Sequence, residues 1–471
     1  MISLPHPVRV FLHTPATDHS PPTRTRRSRK PDFDRLAQVR IEHELPDAEK
    51  VCAQCGEAKA RIGEDERRVL QYIPARYELE VHVLPKYACS RCRDGVVAPE
   101  SPPQPVSGCI AGAGVLAQVV VSKFAEHLPL YRLEDISARY GLYLPRSTLC
   151  DWVSKAADLL KPLYELEKER VRKGAVIWTD DTPVTVLGGE ERGSHTGRFW
   201  VYIGAAAFPY DVYDSTENRK RDGPARFLAN YKGCLQADAF SGYDGIYTGS
   251  DGQILEVARW AHARRKFFEA RSSSPAKASL ILQVIRRLYE VEDRARPLDD
   301  AARHALRQAE ALPILERLRG ELERMSSRLL PKSALAQALT YALNQWQALC
   351  RYTQDGRLTI DNNASERRLR DQAIGRKNWM FLGSDEAGPR AAVLCTIIAG
   401  AKRHRLEPWA YLHDVILQLS VDASPELLTG LLPDRWALSH PEHILTYRIE
   451  ESRKKAARRD ERRGMRRLGS K

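Results

Sequence analysis

Residues 174–184 read Gly174-Ala-Val-Ile-Trp-Thr-Asp-Asp-Thr-Pro-Val184, and the rest of the chain is best read outward from them. Ala175, Val176, Ile177 and Trp178 form a short apolar run of the kind a central strand buried on both faces shows. The run stops at two carboxylates, Asp180 and Asp181, and Pro183 is then expected to end ordinary ladder pairing. A strand that carries acids at its carboxyl end can set metal ligands at the rim of a sheet. Alone, the segment also fits a plain strand-to-turn exit, where Asp is favoured anyway.

The downstream segments add to this. Arg198-Phe-Trp-Val-Tyr-Ile-Gly204 and Tyr210-Asp-Val-Tyr-Asp-Ser215 read as strands, Pro224 to Tyr231 as a short helix, and Gly233-Cys-Leu-Gln-Ala-Asp238 as a fourth strand ending in a carboxylate. Three strands, a helix and a fourth strand ending in Asp is the order of a ribonuclease-H-like α/β core. In that order the first and fourth strands are neighbours, so Asp180 and Asp238 are expected to meet at one sheet edge. From Ala261 to about Cys350 apolar residues recur every three to four positions, which predicts an all-helical insertion. It opens on the basic, aromatic Trp260-Ala-His262-Ala-Arg-Arg-Lys266. Beyond it, Asp361-Asn-Asn-Ala-Ser-Glu366 begins a helix running through Arg370 to Arg376, Lys377 and Trp379. Glu366 has three local readings: partner of Asn363 in a capping box, half of an i,i+4 pair with Arg370, or a third metal ligand. The order of the three acids, two at strand ends and one opening a helix after a helical insertion, favours the ligand.

Upstream, Cys52-Ala-Gln-Cys55 and Cys89-Ser-Arg-Cys92 are two Cys-x-x-Cys knuckles with 33 residues between Cys55 and Cys89. Four thiolates at that spacing suit a tetrahedral structural zinc site, with no open position for chemistry. Tyr72 to Val83 alternates as a ribbon strand should, and Cys109, Cys150, Cys234, Cys350 and Cys395 are expected in the core. Ala111 to Phe124, Tyr131 to Gly141 and Pro145 to Lys155 predict three helices. The last two form a helix-turn-helix pattern, with Ser147 or Thr148 as cap. Arg146, Ser147 and Thr148 would then meet DNA at the start of the second helix.

The formal charge is +13 over 471 residues, with 43% hydrophobic and 29% charged. The positive balance points to a polyanionic partner, nucleic acid before membrane. Part of it is local: residues 448–471 hold eleven Lys and Arg against four Asp and Glu. Residues 1–40, rich in Pro, Thr and Ser with Arg24, Arg26, Arg27, Arg29 and Lys30, are expected to be a disordered basic arm. No apolar run approaches the roughly 18 residues of a membrane span, and the start lacks a signal core. The expected location is cytoplasmic, on the nucleoid.

Together these motifs resemble the DDE transposases of the insertion sequence 66 family. The resemblance runs from about His43 to Asp414 and includes Ser122-Lys-Phe-Ala-Glu-His-Leu-Pro-Leu-Tyr-Arg132, Leu235-Gln-Ala-Asp-Ala-Phe-Ser-Gly-Tyr243 and Gly375-Arg-Lys-Asn-Trp379. It implies that Asp180, Asp238 and Glu366 form the catalytic triad, holding two Mg²⁺ (or Mn²⁺) ions about 3.5–4 Å apart for in-line hydrolysis and strand transfer. The family usually has Asp-Glu-Thr where this chain has Asp180-Asp181-Thr182, so either acid could be the first ligand. His262, Arg264, Arg265, Arg376 and Lys377 are candidates for holding DNA. The implied partners are the element's terminal repeats and target DNA, a homo-oligomer on DNA, and accessory proteins of the element. A ribonuclease-H-like nuclease that cuts without joining, or an inactive zinc-ribbon regulator, are the alternatives.

The expected architecture is multidomain α/β plus α. Its parts are the arm (1–40), a zinc ribbon (41–99), a helix-turn-helix-like region (108–172), a ribonuclease-H-like core in two pieces (173–260 and 351–420), a helical insertion (261–350) and a basic C-terminal tail (421–471).

Overall fold

The computed structural model describes residues 8–13, 38–43, 77, 79 and 104–468, apart from 189–192, 239, 327–332 and 422. It divides into two compact units, residues 1–75 and 76–471. In the first, β1 (Val8–His13) and β2 (Gln38–His43) pair antiparallel, with Val10 opposite Ile41 and Leu12 opposite Val39. Residues 8–13 and 38–40 fall within the expected arm, the rest of which lies outside the described residues. Val-Arg-Val-Phe-Leu-His alternates as a strand does, a local pattern that average composition hides. The four knuckle cysteines lie outside the described residues, as does nearly all of the expected ribbon strand.

The second unit is built on a sheet. Its strands β3 (Val176–Leu187), β4 (Ser194–Gly204), β5 (Asp211–Thr216), β6 (Gly233–Gln236) and β7 (Ile254–Val257) lie in the order β5-β4-β3-β6-β7, and β8 (Phe381–Leu382) pairs with the far end of β3. The first three strands form an antiparallel meander, while β6 runs parallel to β3 and β7 parallel to β6. The sequence reading lacked β7 and β8. It also ended the first strand too early, since β3 runs straight through Pro183, which pairs with Arg198. On its other side β3 pairs with β6 only as far as Trp178, and with β8 only from Thr185. Pro183 therefore falls where one side of the strand is open, the setting in which a missing N–H is tolerated. Gly233 opens β6 at φ +151, and a Cβ there would lie 2.5 Å from the Ala175 carbonyl oxygen, so close strand approach requires glycine.

Alternation divides the sheet's side chains between two cores. Ile177, Trp200, Tyr202, Val212 and Leu235 pack with helices Ala113–Val120, Arg146–Arg172, Ala387–His404 and Pro408–Leu419. Val176, Trp178, Val184, Val186, Phe199, Val201 and Ile203 pack with the insertion. Among the described residues the insertion is all helical, from Trp260–Glu269 to Trp346–Cys350. Its two ends are pinned together: Ala261 N donates to Asp361 Oδ1 at 2.7 Å, and Trp260 N donates to the Ile360 carbonyl at 3.1 Å. Inside it, the buried Arg307 grips Glu292 through both Nε and Nη2 and donates to the carbonyls of Tyr352, Asp355 and Leu358. A sequence that leaves the sheet after β7 thus returns to the same place carrying Glu366.

Helices Leu130–Arg139 and Arg146–Arg172 form the expected pair, with Gly141 at φ +82 in the turn between them. The second helix is 27 residues long, more than twice the expected span. Its N-cap is Pro145 with no side-chain cap, so neither Ser147 nor Thr148 has the capping role expected of it. Of the five cysteines expected in the core, Cys109 and Cys395 are buried, Cys234 and Cys350 half-buried, and Cys150 exposed. The C-terminal basic segment is helical over Thr446–Leu468. Among the described residues no helix is long and apolar enough to cross a membrane.

Candidate active site

The sheet register builds the site. Val176, Ile177 and Trp178 of β3 stand beside Cys234, Leu235 and Gln236 of β6. Asp180 and Asp238 are each two residues beyond the last β3–β6 pair, Asp180 still inside β3 where it has parted from β6 and Asp238 just past the end of β6. Asp180, Asp181 and Asp238 can each place one carboxylate oxygen within 4.8 Å of the others. Asp180 shares the strand parity of Trp178 and Val184, which pack towards the insertion. Asp181 shares that of Ile177, which packs into the opposite core.

Three carboxylates this close repel one another unless neutralised, and three arginines supply the charge. Arg259, 3% exposed, donates Nη1 to Asp180 Oδ2 at 3.1 Å and Nη2 to the Thr179 carbonyl at 3.0 Å. Arg198 of β4 donates to Asp181 Oδ2 at 3.1 Å. Arg219, in the segment after β5, donates to Asp181 Oδ1 from Nε at 3.0 Å and to Asp238 Oδ2 from Nη2 at 3.0 Å, while its plane lies 4.2 Å from the Phe240 ring. The Asp181 side chain is 2% exposed. Burial raises its carboxyl above the ordinary range, against the pull of Arg219 and Arg198. For Arg219, burial works against the cation, yet Asp181 and Asp238 outweigh it and raise its pKa.

Glu366 opens helix Asn363–Trp379. Of the local readings of Glu366, the capping box required Asn363 as N-cap. The N-cap is Asn362, whose Oδ1 accepts from Ser365 N at 3.4 Å and Ser365 Oγ at 2.6 Å. The residue facing the cap is thus Ser365, one position earlier, and Glu366 is left exposed. Among the described residues no Glu366–Arg370 ion pair forms. Nor does Glu366 join the 4.8 Å cluster of the three aspartates. The half-buried His262 feels Asp238, Asp180 and Glu366 together. Burial, then Arg259, lowers the imidazole pKa, and these three acids oppose the shift.

Asn362 was missed by the sequence reading, and it ties the parts together. It is 1% exposed and donates Nδ2 to the carbonyl of Thr179 at 2.8 Å and to that of Gln236 at 3.3 Å. One side chain therefore binds the strand carrying Asp180, the strand leading to Asp238 and the helix carrying Glu366. The signal was the Asp361-Asn-Asn run before the helix. Asp361 itself is a brace: it accepts from Ala261 N and from Tyr289 Oη at 3.0 Å, and burial raises its carboxyl. Arg259 could have been found too, because it directly precedes the Trp260-Ala-His262 motif. Arg198 and Arg219 had no sequence signal.

Of the residues expected to meet DNA, Arg264, Lys377, Arg146 and Ser147 are exposed and Thr148 is half-buried. Arg265 pairs with Glu269 at 3.0 Å, and Arg146 approaches Glu134 at 3.9 Å. Arg376 donates to Thr182 Oγ1 at 3.0 Å and to the Pro183 carbonyl, holding its helix against β3.

Oxygen donors of this kind suit a hard divalent cation such as Mg²⁺, and the arginines mark where positive charge is needed.

Comparison with known proteins places the chain among transposases. Residues 108–390 match the profile of the transposase IS66 family, and residues 49–93 match that of the zinc-finger binding domain of transposase IS66. Three proteins of Sinorhizobium fredii (strain NBRC 101917 / NGR234) are similar over most of their length. "Uncharacterized protein y4jD" is 33% identical over 399 residues, covering 82% of this chain and 78% of its own. "Uncharacterized protein y4qI" is 32% identical over 428 residues, covering 88% and 78%, and "Uncharacterized protein y4hP" is 31% identical over 440 residues, with the same coverage.

Proposed function

The chain belongs to the transposase IS66 family, and we propose that it cuts the ends of an insertion sequence and joins them to target DNA by metal-dependent phosphoryl transfer. The observation that carries this reading is the pairing of β3 with β6, beyond whose last pair Asp180 and Asp238 follow at the same distance with carboxylates in mutual reach. The strand order, a three-stranded meander followed by two parallel strands beside the first, supports a ribonuclease-H-like core.

Asp180, Asp238 and Glu366 are the metal ligands in this proposal. Strand parity favours Asp180 over Asp181, because Asp180 shares a face with the insertion and Asp181 is taken up by two arginines. Divalent cations held there would stabilise the attacking and leaving oxygens of an in-line displacement. Arg259 orients Asp180 from behind, and Asn362 fixes the spacing between the strands and the Glu366 helix. His262, kept neutral by burial beside these acids, can exchange a proton with a water or a 3′-hydroxyl. Arg264 and Lys377, exposed on the two helices flanking the acids, are placed for backbone phosphates. Arg146, Ser147 and Thr148, the basic tail and the zinc ribbon of Cys52, Cys55, Cys89 and Cys92 would bind the element ends. Joining two ends requires them to be held together, which a homo-oligomer on DNA provides.

The test is a cleavage and joining assay on duplexes carrying the element's ends, with and without Mg²⁺. Asp180→Asn, Asp238→Asn and Glu366→Gln should each abolish both steps. Cleavage that survives Asp180→Asn or Asp238→Asn would overturn the assignment, and cutting without any joining would leave the nuclease reading.

A further inference from the structure

Resting on the metal-site reading above, we propose that Arg219 is a displaceable counter-cation that occupies the acid cluster until a divalent cation enters. Three features of the site single it out among the three arginines. It alone bridges two of the acids, with Nη2 at 2.8 Å from Asp181 Oδ1 and 3.0 Å from Asp238 Oδ2. It is also the most exposed, its side chain 36% accessible against 23% for Arg198 and 2% for Arg259. Finally, it lies on residues 217–221, between β5 and helix Asp222–Phe227, outside any regular element.

The other two are placed differently. Arg259 is buried with a second bond to the Thr179 carbonyl, and Arg198, on the backbone of β4, meets Asp181 and not the candidate ligands Asp180 and Asp238. A cation that takes an oxygen of Asp238 must compete with the guanidinium for that carboxylate, whose acceptor sites are few and whose preference is for the denser charge. Arg219 would then keep its hold on Asp181 through Nε while its Nη2 is released from Asp238. The Phe240 ring gives the planar guanidinium a surface to slide along while it stays charged. Next to freshly bound metal, the nearest anion for a released Nη2 is a DNA phosphate. Arg219 is thus a positioning residue: it keeps the acids together without metal and turns towards substrate with it. Asp181 is its anchor, which gives that buried acid a role other than ligation.

The experiment is a calorimetric Mn²⁺ titration of the full, zinc-loaded chain without DNA. Removing the competitor in Arg219→Gln should tighten Mn²⁺ binding on the order of tenfold, as expected for loss of a charge-assisted contact to a ligand. Arg219→Lys, which keeps the charge, should stay near wild type. Phe240→Leu, which removes the stacking surface while keeping an apolar side chain against Trp200 and Tyr243, should move in the same direction by a smaller factor and serves if Arg219→Gln fails to fold. Unchanged or weaker Mn²⁺ binding in both Arg219→Gln and Phe240→Leu overturns the proposal, since a merely structural arginine would loosen the site when removed. Asp180→Asn and Asp238→Asn separate the two levels. If they leave Mn²⁺ binding intact, the metal-site reading itself fails. If they abolish it while Arg219→Gln does not tighten it, only the role of Arg219 falls.

Discussion

Replacing Asn362 tests how the acids are held in register. The side chain does two jobs: its Oδ1 caps helix Asn363–Trp379 through Ser365, and its Nδ2 bridges the carbonyls of Thr179 and Gln236. Loss of a cap costs about 0.5–2 kcal/mol. A buried acceptor left unpaired costs about 1–3 kcal/mol. Thr179 keeps Arg259 as a second donor, so only part of that cost applies there. Asn362→Ala should therefore destabilise by about 2–4 kcal/mol, read by urea unfolding and by faster amide exchange in the first turn of the helix. Asn362→Asp separates the two jobs, because aspartate caps helices as well as asparagine does. It cannot donate to the two carbonyls, however, and it adds a fourth charge beside three carboxylates. It should be at least as damaging as alanine and should abolish cleavage. If Asn362→Asp were as stable and as active as wild type, Asn362 would be a cap only, and the bridging argument would fail.

The other predictions are independent of that one. Glu366→Gln should leave unfolding within about 0.5 kcal/mol of wild type, because Glu366 is exposed and the cap is Asn362, yet it should abolish cleavage; a large loss of stability would return Glu366 to a structural role. His262 should titrate below its ordinary value of about 6.5, as followed by its imidazole proton signals. Its folded pKa is depressed, so the unfolded chain binds the proton more readily. Its share of stability is then present above about 6.5 and lost as pH falls towards the folded value, a slope that His262→Gln should remove. The purified chain should carry one zinc per molecule by elemental analysis, and Cys89→Ser with Cys92→Ser should lose it; zinc retained in that double variant would place the metal elsewhere.

Much of the catalytic unit was legible because its elements follow local rules. The apolar run ahead of Asp180, the strand ending towards Asp238 and the three-to-four-residue period of the insertion are each written in consecutive residues. Two short strands were not: Ile254–Val257 has four residues and Phe381–Leu382 two, too few for alternation to register. Pro183 misled for a related reason. Its cost depends on whether a second neighbour needs its N–H, and that depends on where β6 and β8 stop, which no local pattern records. The capping-box reading of Glu366 took Asn363 rather than Asn362 as the cap, since the two are equally good caps in sequence. Burial of Asn362 between Thr179 and Gln236 decides between them.

The counter-charges were beyond local reading for a physical reason. Carboxylates with oxygens in mutual reach require cations, so the sequence implies that some must exist, but they arrive from three separate segments at Arg198, Arg219 and Arg259. Only the folded sheet makes them neighbours. That also bears on the doublet Asp180-Asp181, where the family pattern usually has a glutamate second. In a strand neighbouring side chains point to opposite faces, yet Asp181 still keeps an oxygen within 4.8 Å of Asp180 and Asp238, so what sets it apart is the pair of arginines it holds. On its own face Asp181 meets Arg198 and Arg219, and either acid at that position can hold them. The substitution that looked like a displaced ligand is then a tolerated change in an anchor. In the proposed reading Asp180, which only one of the three arginines holds, is the first ligand.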